Sequence, residues 1–177
     1  MNLFWNKGYN GTSMQDLVDG LGISRSSLYD TYADKHTLYV KSLKYYKKTA
    51  GAGMLAAIEG SFPAKEAIRR LLDYFVSELT KDTEHKGCFL VNSTVELASH
   101  DKEISNMLCE SDCETEALLR GVIEKGQKKG EISNTRDAES LARFIFNNIK
   151  GMRVTARAGV DRKTLDEIVA LTLFVLG

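Results

Sequence analysis

A single proline, Pro63, stands in 177 residues, so almost nothing removes a backbone N–H or forces a break, and long helices are permitted nearly everywhere. Cysteine is scarce and odd in number, three in all, which argues against a disulfide framework and for free thiols in a reducing compartment. Net charge is absent: 24 basic side chains balance 24 acidic ones, which excludes a histone-like binder held to nucleic acid by bulk electrostatics. The longest strongly apolar stretch, Ile168 to Leu176, falls well short of the roughly 20 residues a bilayer demands. No charged-then-apolar secretion signal opens the chain, and a cytoplasmic protein with no membrane partner is expected.

Chemical signatures are also missing. Gly121 to Gly126 has the glycine spacing of a phosphate loop, but Gln127 replaces the lysine that would reach the phosphates. There is no nucleophile elbow, no zinc-protease motif and no helically spaced histidine pair. Cys109 and Cys113 lie four apart with His100 upstream, yet two thiolates are too few for zinc's four ligands. No enzyme, cofactor or metal site is expected.

What the chain does contain is helical periodicity. Apolar residues recur at spacings of three and four, and no long segment alternates apolar with polar, so the fold should be all α with about nine helices. A short helix carrying Leu3, Phe4 and Trp5 ends at Gly8. Thr12 to Gln15 reads as a capping box, opening a helix with Met14, Leu17, Val18 and Leu21 on one stripe. A glycine turn at Gly20 to Ile23 follows, and Ser24 can cap a second helix through about Tyr32. Asp34 can cap a long connecting helix over about Lys35 to Ile58. Further helices are expected over about Ala64 to Lys81, Gly87 to Ala98, Asp101 to Lys129, Asp137 to Ala158 and Arg162 to Leu176.

Helix, tight turn, helix is the DNA-reading geometry when its outward residues suit a groove. If Leu28 points inward with Leu21 and Ile23, then Arg25, Ser26, Ser27, Tyr29 and Asp30 face solvent. Small hydroxyls, a guanidinium and a phenol fit base edges and phosphates in a groove about 12 Å wide. The first 48 residues hold seven Lys or Arg against four Asp, a modest excess that puts weight on avidity in a dimer.

The run from Leu3 to Tyr39 resembles the DNA-binding domain of the TetR family of transcriptional repressors, with Gly8-Tyr9, Thr12-Ser13, Ile23-Ser24, Leu28-Tyr29, Tyr32 and Lys35 in the family's positions. The resemblance implies a three-helix helix-turn-helix domain over residues 1–47. A connecting helix would join it to an effector-binding and dimerisation domain over residues 48–177. It implies that Thr12 or Ser13 touches phosphate, that Arg25, Ser26 and Ser27 face bases, and that Tyr29 and Lys35 hold the DNA backbone. It further implies a homodimer on double-stranded DNA that responds to a small-molecule effector, with the last two helices building the dimer interface.

The last helix is itself apolar on nearly every face in its second half, which calls for a partner subunit as cover. Candidate interface residues are Phe144, Met152, Leu165, Val169, Leu173 and Phe174. Polar groups set among apolar ones suggest an effector pocket lined by Tyr74, Phe75, Cys88, Asn92, Glu96, Phe144, Asn148 and Met152. Cys88, beside His85 and Lys86 at an expected helix start, is a candidate reactive thiol or a small core residue. The residues alone leave a second reading open, a helical small-molecule-binding or thiol-reactive protein whose N-terminal motif is structural only.

Overall fold

Nine α-helices and no strands make up the computed structural model, which describes all residues from 1 to 177. In chain order they are α1 (Asn2–Lys7), α2 (Met14–Leu21), α3 (Arg25–Tyr32), α4 (Lys35–Ile58), α5 (Ala64–Lys81), α6 (Phe89–Leu97), α7 (Lys102–Lys128), α8 (Ala138–Arg157) and α9 (Arg162–Phe174). Short polar caps set most of the starts. The Ser24, Asp137 and Asp161 side chains each accept a hydrogen bond from the backbone N–H three residues on, and the Asp34 carboxylate does the same for Thr37.

One capping residue differs from expectation. Ser13, not Thr12, caps α2: its hydroxyl accepts from Asp16 N while the Asp16 carboxylate accepts from Ser13 N, a capping box one residue later than Thr12 to Gln15 suggested. Thr12 is fully buried, and its hydroxyl donates to Gly8 O at 2.6 Å.

The chain divides into two compact units, the first comprising Met1–Ala50 with Cys88–Leu108 and the second Gly51–Gly87 with Cys109–Gly177. Helices α4 and α7 pass from one unit into the other. The first unit is built on aromatic contacts. Tyr39 of α4 stands edge-on to Phe4 at 4.9 Å, to Tyr9 at 5.0 Å and to Phe89 of α6 at 5.4 Å. Its hydroxyl is paired with that of Ser93 at 2.8 Å, and burial, only partly opposed by that bond, pushes its pKa up to about 12. Leu17, Leu28, Leu38, Leu43 and Ile104 complete this core. Leu21, expected inside, is exposed, so Leu28 is what anchors α3.

In the second unit α5, α8 and α9 pack together around Ile68, Leu71, Leu72, Ile145, Ile149 and Leu165, with Leu119 and Ile123 from α7. The start of α5 follows Pro63, which has no capping side chain, and Glu131 fills the gap by accepting from Ala64 N at 2.6 Å. Met152, Leu165 and Val169, expected at a subunit interface, are buried within their own chain, where they fill the groove between α8 and α9. Leu173 is half-buried against the same core. On α8 and α9 the large apolar groups left outside are Phe144, Val154, Leu171 and Phe174, the last two 71% and 83% exposed.

Candidate nucleic-acid interface

The turn between α2 and α3 depends on Gly22, whose φ of +64° lies in the left-handed region that side chains disfavour. Ser24 then opens α3 in extended conformation, and its hydroxyl accepts from Ser27 N at 3.1 Å. Leu28, with no exposed surface, is the one buried residue of α3 and fixes its rotation. Arg25, Ser26, Ser27, Tyr29 and Asp30 consequently lie on the open face, as the spacing predicts. The Ser26 and Ser27 hydroxyls both lie 2.9 Å from that of Ser24, which gathers three hydroxyls at the N-terminal end of the helix. Thr31 turns its hydroxyl back onto Ser27 O.

Two expected phosphate contacts have other duties. Thr12 is buried, as described. Lys35 is half-buried, with its ammonium donating to Tyr9 O at 2.8 Å and Thr12 O at 2.9 Å while lying 4.2 Å above the Tyr9 ring. It closes the loop between α1 and α2 by filling carbonyls that no helix satisfies. Ser13 remains exposed, with its hydroxyl donating to Asp16 at 2.6 Å. The Asp16 carboxyl is held well below the usual carboxylate range, first by the Lys7 ammonium and then by Ser13, and so stays ionised.

A contact that the sequence does not advertise holds this loop from α6. Both oxygens of Glu96 accept backbone hydrogen bonds, from Tyr9 N at 2.9 Å and Asn10 N at 2.8 Å. Gly8, with φ of +77°, makes room for it, since a β-carbon there would sit 2.7 Å from a Glu96 oxygen. Glu96 was expected in a pocket, and is instead a clasp on the α1–α2 loop. Eighty-seven residues separate Glu96 from Tyr9, a distance over which local periodicity carries no information.

The other expected pocket residues are spread through both units. Tyr74 is half-buried, its hydroxyl against Gly53 of α4, and burial raises its pKa. Phe75 is buried with the Arg153 guanidinium 4.6 Å from its ring. Asn148 donates to the Thr172 hydroxyl at 3.1 Å, Met152 is core, and Phe144 is on the surface. Asn92 is half-buried on α6. Cys88 sits at the N-cap of α6 as expected but is 3% exposed, and Lys86 is paired with Glu84 at 2.7 Å. That placement favours the small core residue over an accessible reactive thiol.

Comparison with known proteins bears on what this face does. The model of bacterial regulatory proteins of the tetR family matches residues 1–41, and that of the tetracyclin repressor-like C-terminal domain matches residues 64–171. The chain belongs to the TetR family. Among its relatives, the uncharacterised HTH-type transcriptional regulator YezE of Bacillus subtilis is 32% identical over 99% of this chain and 91% of its own. The transcriptional repressor ComR of Escherichia coli is also 32% identical, over 98% and 83%. Among solved structures, a cysteine mutant of the TetR family regulator CifR in complex with 26-bp double-stranded operator DNA superposes with a TM-score of 0.88. It is 26% identical and covers 99% of this chain and 91% of its own. A TetR regulator from Chloroflexus aurantiacus, 22% identical, shares the fold with a TM-score of 0.89 over 97% and 87%. TetR proteins are dimeric DNA-binding regulators that respond to small-molecule effectors, and this TetR chain has no helix long and apolar enough to cross a membrane.

Proposed function

We propose that this protein is an effector-responsive repressor that binds a near-palindromic operator in the cytoplasm as a homodimer, with residues 1–47 reading DNA and residues 48–177 forming the effector-binding and dimerisation domain. The observation that carries the reading is the open face of α3, where Arg25, Ser26, Ser27 and Tyr29 project from a helix whose rotation Leu28 fixes. Each subunit lays α3 in a major groove, with Arg25 and the two serines at base edges and Tyr29 on the DNA backbone. Ser13 meets phosphate at the start of α2, where unpaired N–H groups favour an anion. Thr12 and Lys35 act at one remove, by fixing the loop that places α2. The role is regulatory and not catalytic.

Dimerisation uses Phe144 and Val154 of α8 with Leu171 and Phe174 of α9, the large apolar groups that these two helices leave exposed. Occupation of the core by effector changes the separation of the two α3 helices from about 34 Å, the spacing of successive major grooves. A gel-shift with DNA from upstream of the protein's own gene tests the reading. Retarded, competitor-resistant DNA that is lost with Arg25→Ala is the expected outcome; equal retardation by parent and variant removes α3 from the interface.

A further inference from the structure

Two thiols that the DNA-binding account leaves unused lie on successive turns of α7. Cys109 and Cys113 are both exposed, and four-residue spacing on one helix brings their β-carbons to about 5–6 Å. Around them α7 is tied to α8, by Asp112 with Lys150 and by Glu116 with Arg143 at 3.7 Å, so the backbone carrying the thiols is braced on both sides of Cys113. Each sulfur therefore needs only side-chain rotation to meet a shared ligand, and little ordering cost remains.

Geometry decides which chemistry suits the pair. A disulfide needs β-carbons about 3.8 Å apart, closer than an intact helix allows at this spacing, so direct oxidation would have to open the turn. One atom inserted between the sulfurs spans the wider gap. No third Cys, His, Asp or Glu joins the two thiols in a cluster able to hold a metal ion, so ions that require three or four protein ligands lack a donor set. The ligand must be thiophilic and satisfied by two sulfurs.

We propose that Cys109 and Cys113 form a bidentate dithiol site for trivalent organoarsenicals. In the binding step both S–H bonds break and two As–S bonds form. The arsenic-bound oxygen leaves with the two protons as water, and arsenic stays trivalent throughout, so no oxidant or reductant takes part. The Cys113 thiol titrates above its ordinary range, the neighbouring Cys109 being the largest cause. At neutral pH Cys113 is therefore held as the thiol, a poor target for monofunctional alkylating agents that need a thiolate. A bidentate electrophile gains instead from the second sulfur, which closes the chelate at high effective concentration.

Phenylarsine oxide, titrated into the fully reduced intact protein, tests the site. Mass spectrometry of the folded protein should show one adduct per chain, lighter by one water than the sum of its parts. Thiol titration should then find one of the three cysteines, the buried Cys88, still free. Cys109→Ser and Cys113→Ser change exposed positions, so both should keep the parent's circular dichroism while each weakens binding about 100-fold or more. Absence of a 1:1 adduct, an adduct that maps to Cys88, or parent-like affinity in either serine variant would overturn the proposal.

Discussion

Removing the Glu96 clasp separates an internal coupling residue from an ordinary surface acid. Its carboxylate accepts from Tyr9 N, which is partly buried, and from Asn10 N, which is exposed. A buried hydrogen bond to a charged group contributes about 1.5–3 kcal/mol, and the exposed one counts for less because water replaces it. Glu96→Ala should therefore cost the first unit about 2–3 kcal/mol, and Glu96→Gln, which keeps one acceptor, about half that. For a chain of this size each kcal/mol shifts the melting temperature by about 2–4 °C, so the alanine variant should melt roughly 4–12 °C lower. Trp5, the only tryptophan, lies in the same unit at 4.9 Å from Tyr46, and its fluorescence reports unfolding there selectively. Gly8→Ala supplies an independent arm, since its β-carbon meets Glu96 at 2.7 Å and its φ of +77° strains any side chain. In the Glu96→Ala background the clash is gone while the strain remains, so the double variant should lose less than the sum of the two singles. An unchanged Trp5 melt in Glu96→Ala, or strict additivity with Gly8→Ala, would refute the clasp.

Three further outcomes follow from the same geometry. Charge introduced by Leu171→Asp or Phe174→Asp should yield monomers in sedimentation at unchanged helicity, whereas Leu165→Ala, inside the α8–α9 core, should cost about 2–5 kcal/mol of stability and leave the dimer intact. Arg25→Ala and Tyr29→Phe should weaken operator binding by about 1–3 kcal/mol without moving the Trp5 melt, while Lys35→Met, which removes the ammonium bridging the Tyr9 and Thr12 carbonyls, should lower that melt. The capping carboxyls of Asp16, Asp34, Asp137 and Asp161 are all depressed below their usual 3.8, so their stabilisation is complete above that value and is lost as pH falls through the folded-state values. Stability against acid should thus decline below about pH 4, and Asp16→Asn, read by urea melts at stepped pH, should flatten the decline.

Most of this fold was legible because its punctuation is local. Gly8, Ser24, Asp34, Asp137 and Asp161 each start or stop a helix through bonds spanning a few residues, and the helix limits fall within about two residues of the spacing-based expectation. The miss at Thr12 has a physical reason: two adjacent hydroxyls compete for one cap, and only the fold shows that Thr12 is spent on Gly8 O. The open face of α3 was readable from Leu28 alone, since one buried residue on a two-turn helix fixes which others face out. Long-range duties were not readable. Glu96 and Lys35 close the α1–α2 loop from α6 and α4, and no periodicity marks a carboxylate or an ammonium that seeks a distant backbone. The apolar last helix pointed correctly to a need for cover, yet not to which stripe faces its own core. Leu165 and Val169 take the inside, leaving Leu171 and Phe174 outside.

Footprinting on the strongest site selected from random DNA tests the central claim most directly. The account predicts protection of two major-groove segments, about 34 Å apart and related by a two-fold sequence repeat, with protection at both lost together in Arg25→Ala. Protection confined to one unrepeated segment, or a parent-like footprint from Arg25→Ala, would contradict a dimer that reads DNA through α3.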